Sequence, residues 1–67
     1  MSLALNIRRL RGERGWSRET LARKADVSAS TIYRTERGET VPRFSALAAI
    51  AKALEASLDE LTEEQAA

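Results

Sequence analysis

Between Ala29 and Arg37 the chain carries Ser30, Tyr33, Arg34 and Arg37, spaced i, i+3, i+4 and i+7. On an α-helix these positions share one face. Hydroxyl, phenol and guanidinium groups in a row bind by hydrogen bonds and do little covalent chemistry. An arginine fork matches guanine O6 and N7 with two parallel donors, worth about 1–3 kcal/mol of discrimination against a wrong base. The methyl of Ala29 suits a thymine methyl. The first turn of such a helix also exposes backbone N–H groups, which donate to a phosphate. The sequence has no Cys and no His. The usual nucleophile, general base and soft metal ligands are therefore missing. Glu19, Glu60, Glu63 and Glu64 form no pattern suited to sugar cleavage or metal binding. No enzyme activity, no cofactor and no metal is expected.

The elements that must position the stripe are helices. Val and Ile are few and scattered, whereas Ala, Leu, Arg and Glu dominate, and these are good helix formers. Leu3, Ile7 and Leu10 mark the inner face of a first helix that ends between Gly12 and Gly15. Ser17 is a natural N-cap for a second helix running to about Ala25, with Leu21, Ala22 and Ala25 on its apolar side. Asp26 and Val27 break the pattern, and Ser28 caps again. A third helix covers Ala29 to about Arg37 and stops at Gly38, a common C-terminal stop. Glu39 to Pro42 is a loop. A fourth helix begins near Arg43 with Phe44, Leu47, Ile50, Ala51 and Leu54 on one side. Ser57 and Glu60 have capping-box spacing and open a short fifth helix through Leu61. The 62–67 tail is polar and small and is expected to fray.

Sixty-seven residues are one domain, read as 1–67 with a core of about 3–61. Twelve residues are alanine, so the core is small, and such cores supply roughly 3–5 kcal/mol. No apolar run approaches the ~20 residues that span a bilayer, and a cytoplasmic protein with no membrane partner is expected. The net charge of +1 conceals a dipolar chain. Met1 to Arg43 holds ten basic and five acidic residues, whereas Phe44 to Ala67 holds one basic and five acidic. The basic part can meet a polyanion while the acidic end stays away from it.

Helix two, a short break and helix three form the layout of a helix-turn-helix. Ala22 lets the two helices approach, Asp26 tolerates a left-handed turn, and Val27 and Ile32 point inward. Residues 5–61 resemble the Xre-type helix-turn-helix domain of lambdoid phage repressors and Cro proteins. The matching stretches are IRRLRGERGWSRETLARKADVS, STIYRTERGE and VPRFSALAAIAKALEASLDEL. The resemblance implies an all-α, compact five-helix repressor-like fold. It implies that Arg18 contacts phosphate at the start of helix two. Ser28, Ala29, Ser30 and Thr31 match the head of the recognition helix, and Tyr33 and Arg34 match positions reaching into the major groove. Arg37 and Arg43 match the edges of a phosphate-contacting loop. Arg11 and Glu36 match a buried ion pair joining helix one to the recognition helix. Three residues depart from the family pattern: Arg18 replaces a Gln, Asp26 a common Gly, and Thr35 a Leu or Ile.

These readings lead to one expectation of function. The chain is a sequence-specific reader of double-stranded DNA in transcriptional control, acting as a homodimer on an inverted repeat. Val41, Leu54, Ala56, Leu58 and Leu61 are its dimer-surface candidates. Trp16 reads as a plug between helices one and two, and Phe44 as core or interface. Arg8, Arg9 and Arg14 read mainly as solvating charges. The rival expectation is a protein-interaction module, an antitoxin or adaptor on the same fold, with its acidic C-terminal leucines as the partner surface.

Overall fold

The computed structural model describes residues 3–63, all in helices and their connections. Helix α1 spans Leu3–Glu13, α2 Arg18–Ala25, α3 Ala29–Glu36, α4 Phe44–Ala53 and α5 Leu58–Thr62. The boundaries follow from local chemistry. Ser17, Ser28 and Ser57 each sit in extended backbone, and each side chain accepts a hydrogen bond from the N–H three residues on. At Ser57 the box closes, because Glu60 accepts from the Ser57 N–H in return. The C-terminal ends of α1 to α4 each use a left-handed residue: Gly15, Asp26, Gly38 and Glu55. Beyond each, a backbone N–H reaches back five positions to close a Schellman turn: Trp16 to Arg11, Val27 to Ala22, Glu39 to Arg34 and Ala56 to Ala51.

Three of these connections share one sequence logic: a left-handed residue, an apolar residue, then a capping Ser. They read Gly15-Trp16-Ser17, Asp26-Val27-Ser28 and Glu55-Ala56-Ser57. Such tight connections force steep crossings. Helix α2 packs on α3 and α4, and α1 on α3 and α5, while α5 also meets α4. Leu3, Ile7, Leu10, Leu21, Ile32, Ile50, Leu54 and Leu61, with Ala22, Ala25 and Ala51, form the core they share.

Several expectations need correction at this level. Leu54 and Leu61 have no exposed surface. They are consumed by the core and cannot form a dimer surface. Ala56 and Leu58 are half-buried and pack against that core, so only Val41, 60% exposed, is a fully outward candidate. Phe44 is 72% exposed, because it stands at the first position of α4, a turn before the helix reaches Leu47 and the core; it is not a core residue. Thr62 is the last residue of α5 and its hydroxyl donates to the Leu58 carbonyl at 3.0 Å, so it is not frayed. The rest of the expected tail beyond Glu63 lies outside the described residues.

One core member was not anticipated. Asn6 is completely buried, and its side-chain amide donates to the carbonyls of Leu61 at 2.8 Å and Glu63 at 2.9 Å. It satisfies the open end of α5 from α1, where unpaired carbonyls would otherwise be buried. Its position between Leu3, Ile7 and Leu10 was the signal: a polar residue in an apolar stripe.

Candidate nucleic-acid interface

Helix α3 is seated by its middle and its C-terminal end. Ile32 is fully buried near its middle, and Thr35 and Glu36 are buried at its close. Thr35, where an aliphatic residue is usual, donates its hydroxyl to the Thr31 carbonyl at 2.7 Å. The polar atom is thereby satisfied within the helix. Glu36 is the anchor. Its side chain is 2% exposed and meets two arginines. Arg11 grips it with both prongs, Nε to Oε2 at 2.7 Å and Nη2 to Oε1 at 2.9 Å, and its third nitrogen donates to the Trp16 carbonyl at 2.8 Å. Arg18 Nε donates to Oε1 at 3.0 Å. One carboxylate thus ties α3 to α1 and α2 together. Bidentate charged bonds of this kind are among the strongest available.

The departure at Arg18 takes on meaning here. Its guanidinium lies 4.8 Å over the Tyr33 ring while it holds Glu36. The hydrogen bond to Glu36, then contact with Tyr33, raises its pKa above the ordinary guanidinium value. Arg18 is therefore a bracing residue as much as a surface cation. Tyr33 is also held at its tip: the hydroxyl donates to Glu19 Oε2 at 2.7 Å. That bond, followed by a backbone bond within Glu19 itself, pulls the Glu19 carboxyl below its ordinary range. Sequence reading left Glu19 without a role. No local spacing links it to Tyr33, fourteen positions away on another helix.

Outward of this seat, Ser30, Tyr33, Arg34 and Arg37 are all exposed. Ala29 and Thr31 are half-buried. Ser28 accepts from the Thr31 N–H at 3.1 Å and its hydroxyl lies 2.8 Å from that of Thr31, so this pair shapes the start of the helix. Arg37 is paired with Glu39 at 2.8 Å, both well exposed. The side chains of Arg34 and Arg43 have no hydrogen-bond or ion-pair partner among the described residues. Arg43 is the N-cap of α4 and makes no side-chain cap bond.

The structure therefore sorts the cations further than the resemblance does. Arg11 and Arg18 are bound to Glu36. Arg14 donates to the carbonyls of Leu10 and Leu54 and sits 5.7 Å over the Trp16 ring. Lys24 lies 4.9 Å over the same ring, which packs its inner side against the core. Arg9 pairs with Glu13 one turn on. Arg8, Arg23, Arg34, Arg43 and Lys52 are left exposed and unpartnered among the described residues. Among those residues no helix is long and apolar enough to cross a membrane.

A short helix crossing a second at a left-handed turn, with an exposed polar and cationic outer face, defines the helix-turn-helix class. A model of the helix-turn-helix domain family matches residues 2–64, and the chain belongs to that family. It is similar to the restriction-modification controller protein C.AhdI from Aeromonas hydrophila, at 30% identity and a TM-score of 0.84, over 90% of this chain and 91% of that one. It is similar to an HTH_3 family transcriptional regulator from Vibrio cholerae, at 35% identity and a TM-score of 0.82, over 90% of this chain and 34% of that one. It is also similar to the hypothetical transcription factor NHTF from Neisseria, at 32% identity and a TM-score of 0.82, over 88% and 68% of the two chains. Among curated proteins none matches. The similarity to these regulators places the chain in the Xre-like group of the family, which is not a group of enzymes.

Proposed function

We propose that this chain binds double-stranded DNA by laying α3 in the major groove, with the start of α2 across the phosphate backbone, to control transcription. The observation that carries the reading is the two-sidedness of α3. Its inner side is clamped through Glu36 to two other helices, and its outer side presents Arg34 without a partner among the described residues. A rigid helix with an unused arginine fork is suited to reading a guanine edge. Arg34 is assigned to bases, with Ser30 and Tyr33 beside it; Arg18, Arg37 and Arg43 are assigned to phosphates, and Ser28, Ala29 and Thr31 to the approach of the helix start. Two copies with recognition helices about 34 Å apart would read an inverted repeat, and Val41 is the outward apolar residue retained for their contact. The described relatives are a controller protein and transcription factors, which supports the same reading.

The test is binding to duplexes drawn from a randomised pool, at two salt concentrations. A reader of DNA weakens steeply as salt rises, because phosphate contacts release counterions. Arg34→Ala should relax base preference at one or two positions. Arg43→Ala should weaken all duplexes alike and flatten the salt slope by roughly one unit. Binding that is absent or insensitive to salt would sink the proposal and favour the adaptor.

A further inference from the structure

We infer that Glu19 sets the hydrogen-bond polarity of Tyr33: the Tyr33 hydroxyl meets the duplex as an acceptor and selects a base bearing an exocyclic amine, cytosine N4 or adenine N6. The inference rests on the proposed placement of α3 in the major groove and adds the chemistry of one of its contacts.

A phenol carries one proton, and an ionised carboxylate can only accept. The 2.7 Å contact between Tyr33 Oη and Glu19 Oε2 therefore commits that proton to Glu19. Glu19 is held in its ionised form by this bond and by the nearby charges of Arg18 and Arg11. The ring cannot swing away cheaply either. The Arg18 guanidinium lies 4.8 Å over it, and Arg18 is itself held by the buried carboxylate of Glu36. Two residues of α2 thus fix both the position and the proton of a side chain on α3. What Tyr33 keeps for a ligand is its oxygen lone pairs, on a side chain 38% exposed.

In the major groove, cytosine and adenine offer amine donors, whereas guanine and thymine offer only acceptors at the corresponding edges. Tyr33 facing guanine O6 or thymine O4 would set acceptor against acceptor. Its neighbour Arg34 has donors only. The stripe is therefore of mixed polarity, with a guanine-selecting residue beside an amine-selecting one. Glu19 touches no base in this scheme; it is a positioning residue.

The experiment is selection from randomised duplexes with the full chain and its Tyr33→Phe, Glu19→Ala and Glu19→Gln variants, each checked for folding by thermal unfolding. The unsubstituted chain should prefer adenine or cytosine at one position per half-site, on the order of 3- to 10-fold over guanine and thymine. Tyr33→Phe and Glu19→Ala should lose that preference. Glu19→Gln, whose amide can donate as well as accept, should weaken it without abolishing it. Both Glu19 variants should bind all duplexes more tightly, since one negative charge near the phosphates is gone; affinity and preference thereby report charge and polarity separately. Replacing the preferred adenine by purine, or cytosine by 2-pyrimidinone, should weaken the unsubstituted chain by the same factor and leave Glu19→Ala unaffected. The inference falls if the Tyr33-dependent base is guanine or thymine, or if Glu19→Ala keeps the preference. It falls too if Tyr33→Phe weakens all duplexes alike, which would assign the hydroxyl to phosphate. Steep salt dependence with any of these results overturns the role of Glu19 and leaves the DNA reading intact; no binding by the unsubstituted chain overturns both.

Discussion

The α2–α3 and α4–α5 connections are near copies in backbone and opposites in surface. Each closes a Schellman turn, Val27 to Ala22 at 3.0 Å and Ala56 to Ala51 at 2.9 Å. Each puts an acidic residue in the left-handed region, Asp26 at φ 56° and Glu55 at φ 55°, and each continues into a Ser-capped helix. The helices they launch differ. Helix α3 has eight residues, a buried carboxylate clamped by two arginines, and a cationic outer face. Helix α5 has five residues, exposed acids at Asp59 and Glu60, and a neutral latch from Asn6. Turn geometry alone therefore does not distinguish the two helices. The charge on the launched helix and the stiffness of its seat do, and the proposed reading of DNA rests on them.

The two seats should differ most in what their loss costs. Glu36→Ala leaves Arg11 half-buried and unpaired, a loss of about 3–5 kcal/mol in denaturant unfolding, enough to leave a domain of this size largely unfolded. Replacing Arg11 and Glu36 together by apolar residues should recover much of that stability, since the penalty lies in the orphaned charge. Asn6→Ala should cost less, about 1–3 kcal/mol, with hydrogen-exchange protection lost first in α5. Equal losses at the two seats would remove the distinction drawn between them.

The caps sharpen the comparison. Ser28→Ala and Ser57→Ala should each cost about 1 kcal/mol. Only Ser28→Ala should also weaken DNA binding beyond its effect on folding. The left-handed residues come next. Glycine relieves the left-handed strain at some entropic cost to the folded state. Asp tolerates that region better than Glu, so Glu55→Gly should stabilise by about 0.5–1 kcal/mol and Asp26→Gly by less. A larger gain at Asp26 would show strain concentrated at the reading turn.

The smallest effect expected is on pH dependence. Glu19 titrates below its ordinary range in the folded chain, its bond from Tyr33 being the main cause. A lowered folded value means that its contribution is present above the ordinary carboxylate range and fades as pH falls through the folded value. Glu19→Gln should flatten that part of the acid limb of stability without moving the neutral plateau, measured by thermal unfolding between neutral pH and pH ~3.

Most of the architecture was legible because its determinants are local. Ser17, Ser28 and Ser57 announce helix starts by a side-chain oxygen placed before an apolar run, and Gly38 announces a stop. The stripe Ser30, Tyr33, Arg34 and Arg37 follows from helical spacing and its outward direction from its polar side chains, and all four are exposed. The assignment of Leu54 and Leu61 failed because periodicity shows which residues share a face, not whether that face meets the core or a second chain. For Phe44, read as core or interface, only the core half is excluded: it lies on the apolar side of α4 but is 72% exposed, beyond the edge of its neighbours.

What the amino-acid order determined by itself was five helices, their caps, and a chain basic at one end and acidic at the other, since these depend on contacts within a few residues. Only the tertiary structure decided which cations are spent and which are free. Arg11, Arg14 and Arg18 find their partners across 25, 40 and 18 positions, and the Glu19–Tyr33 bond spans fourteen. Pairings at such separations follow from how helices cross, and no spacing along the chain encodes that.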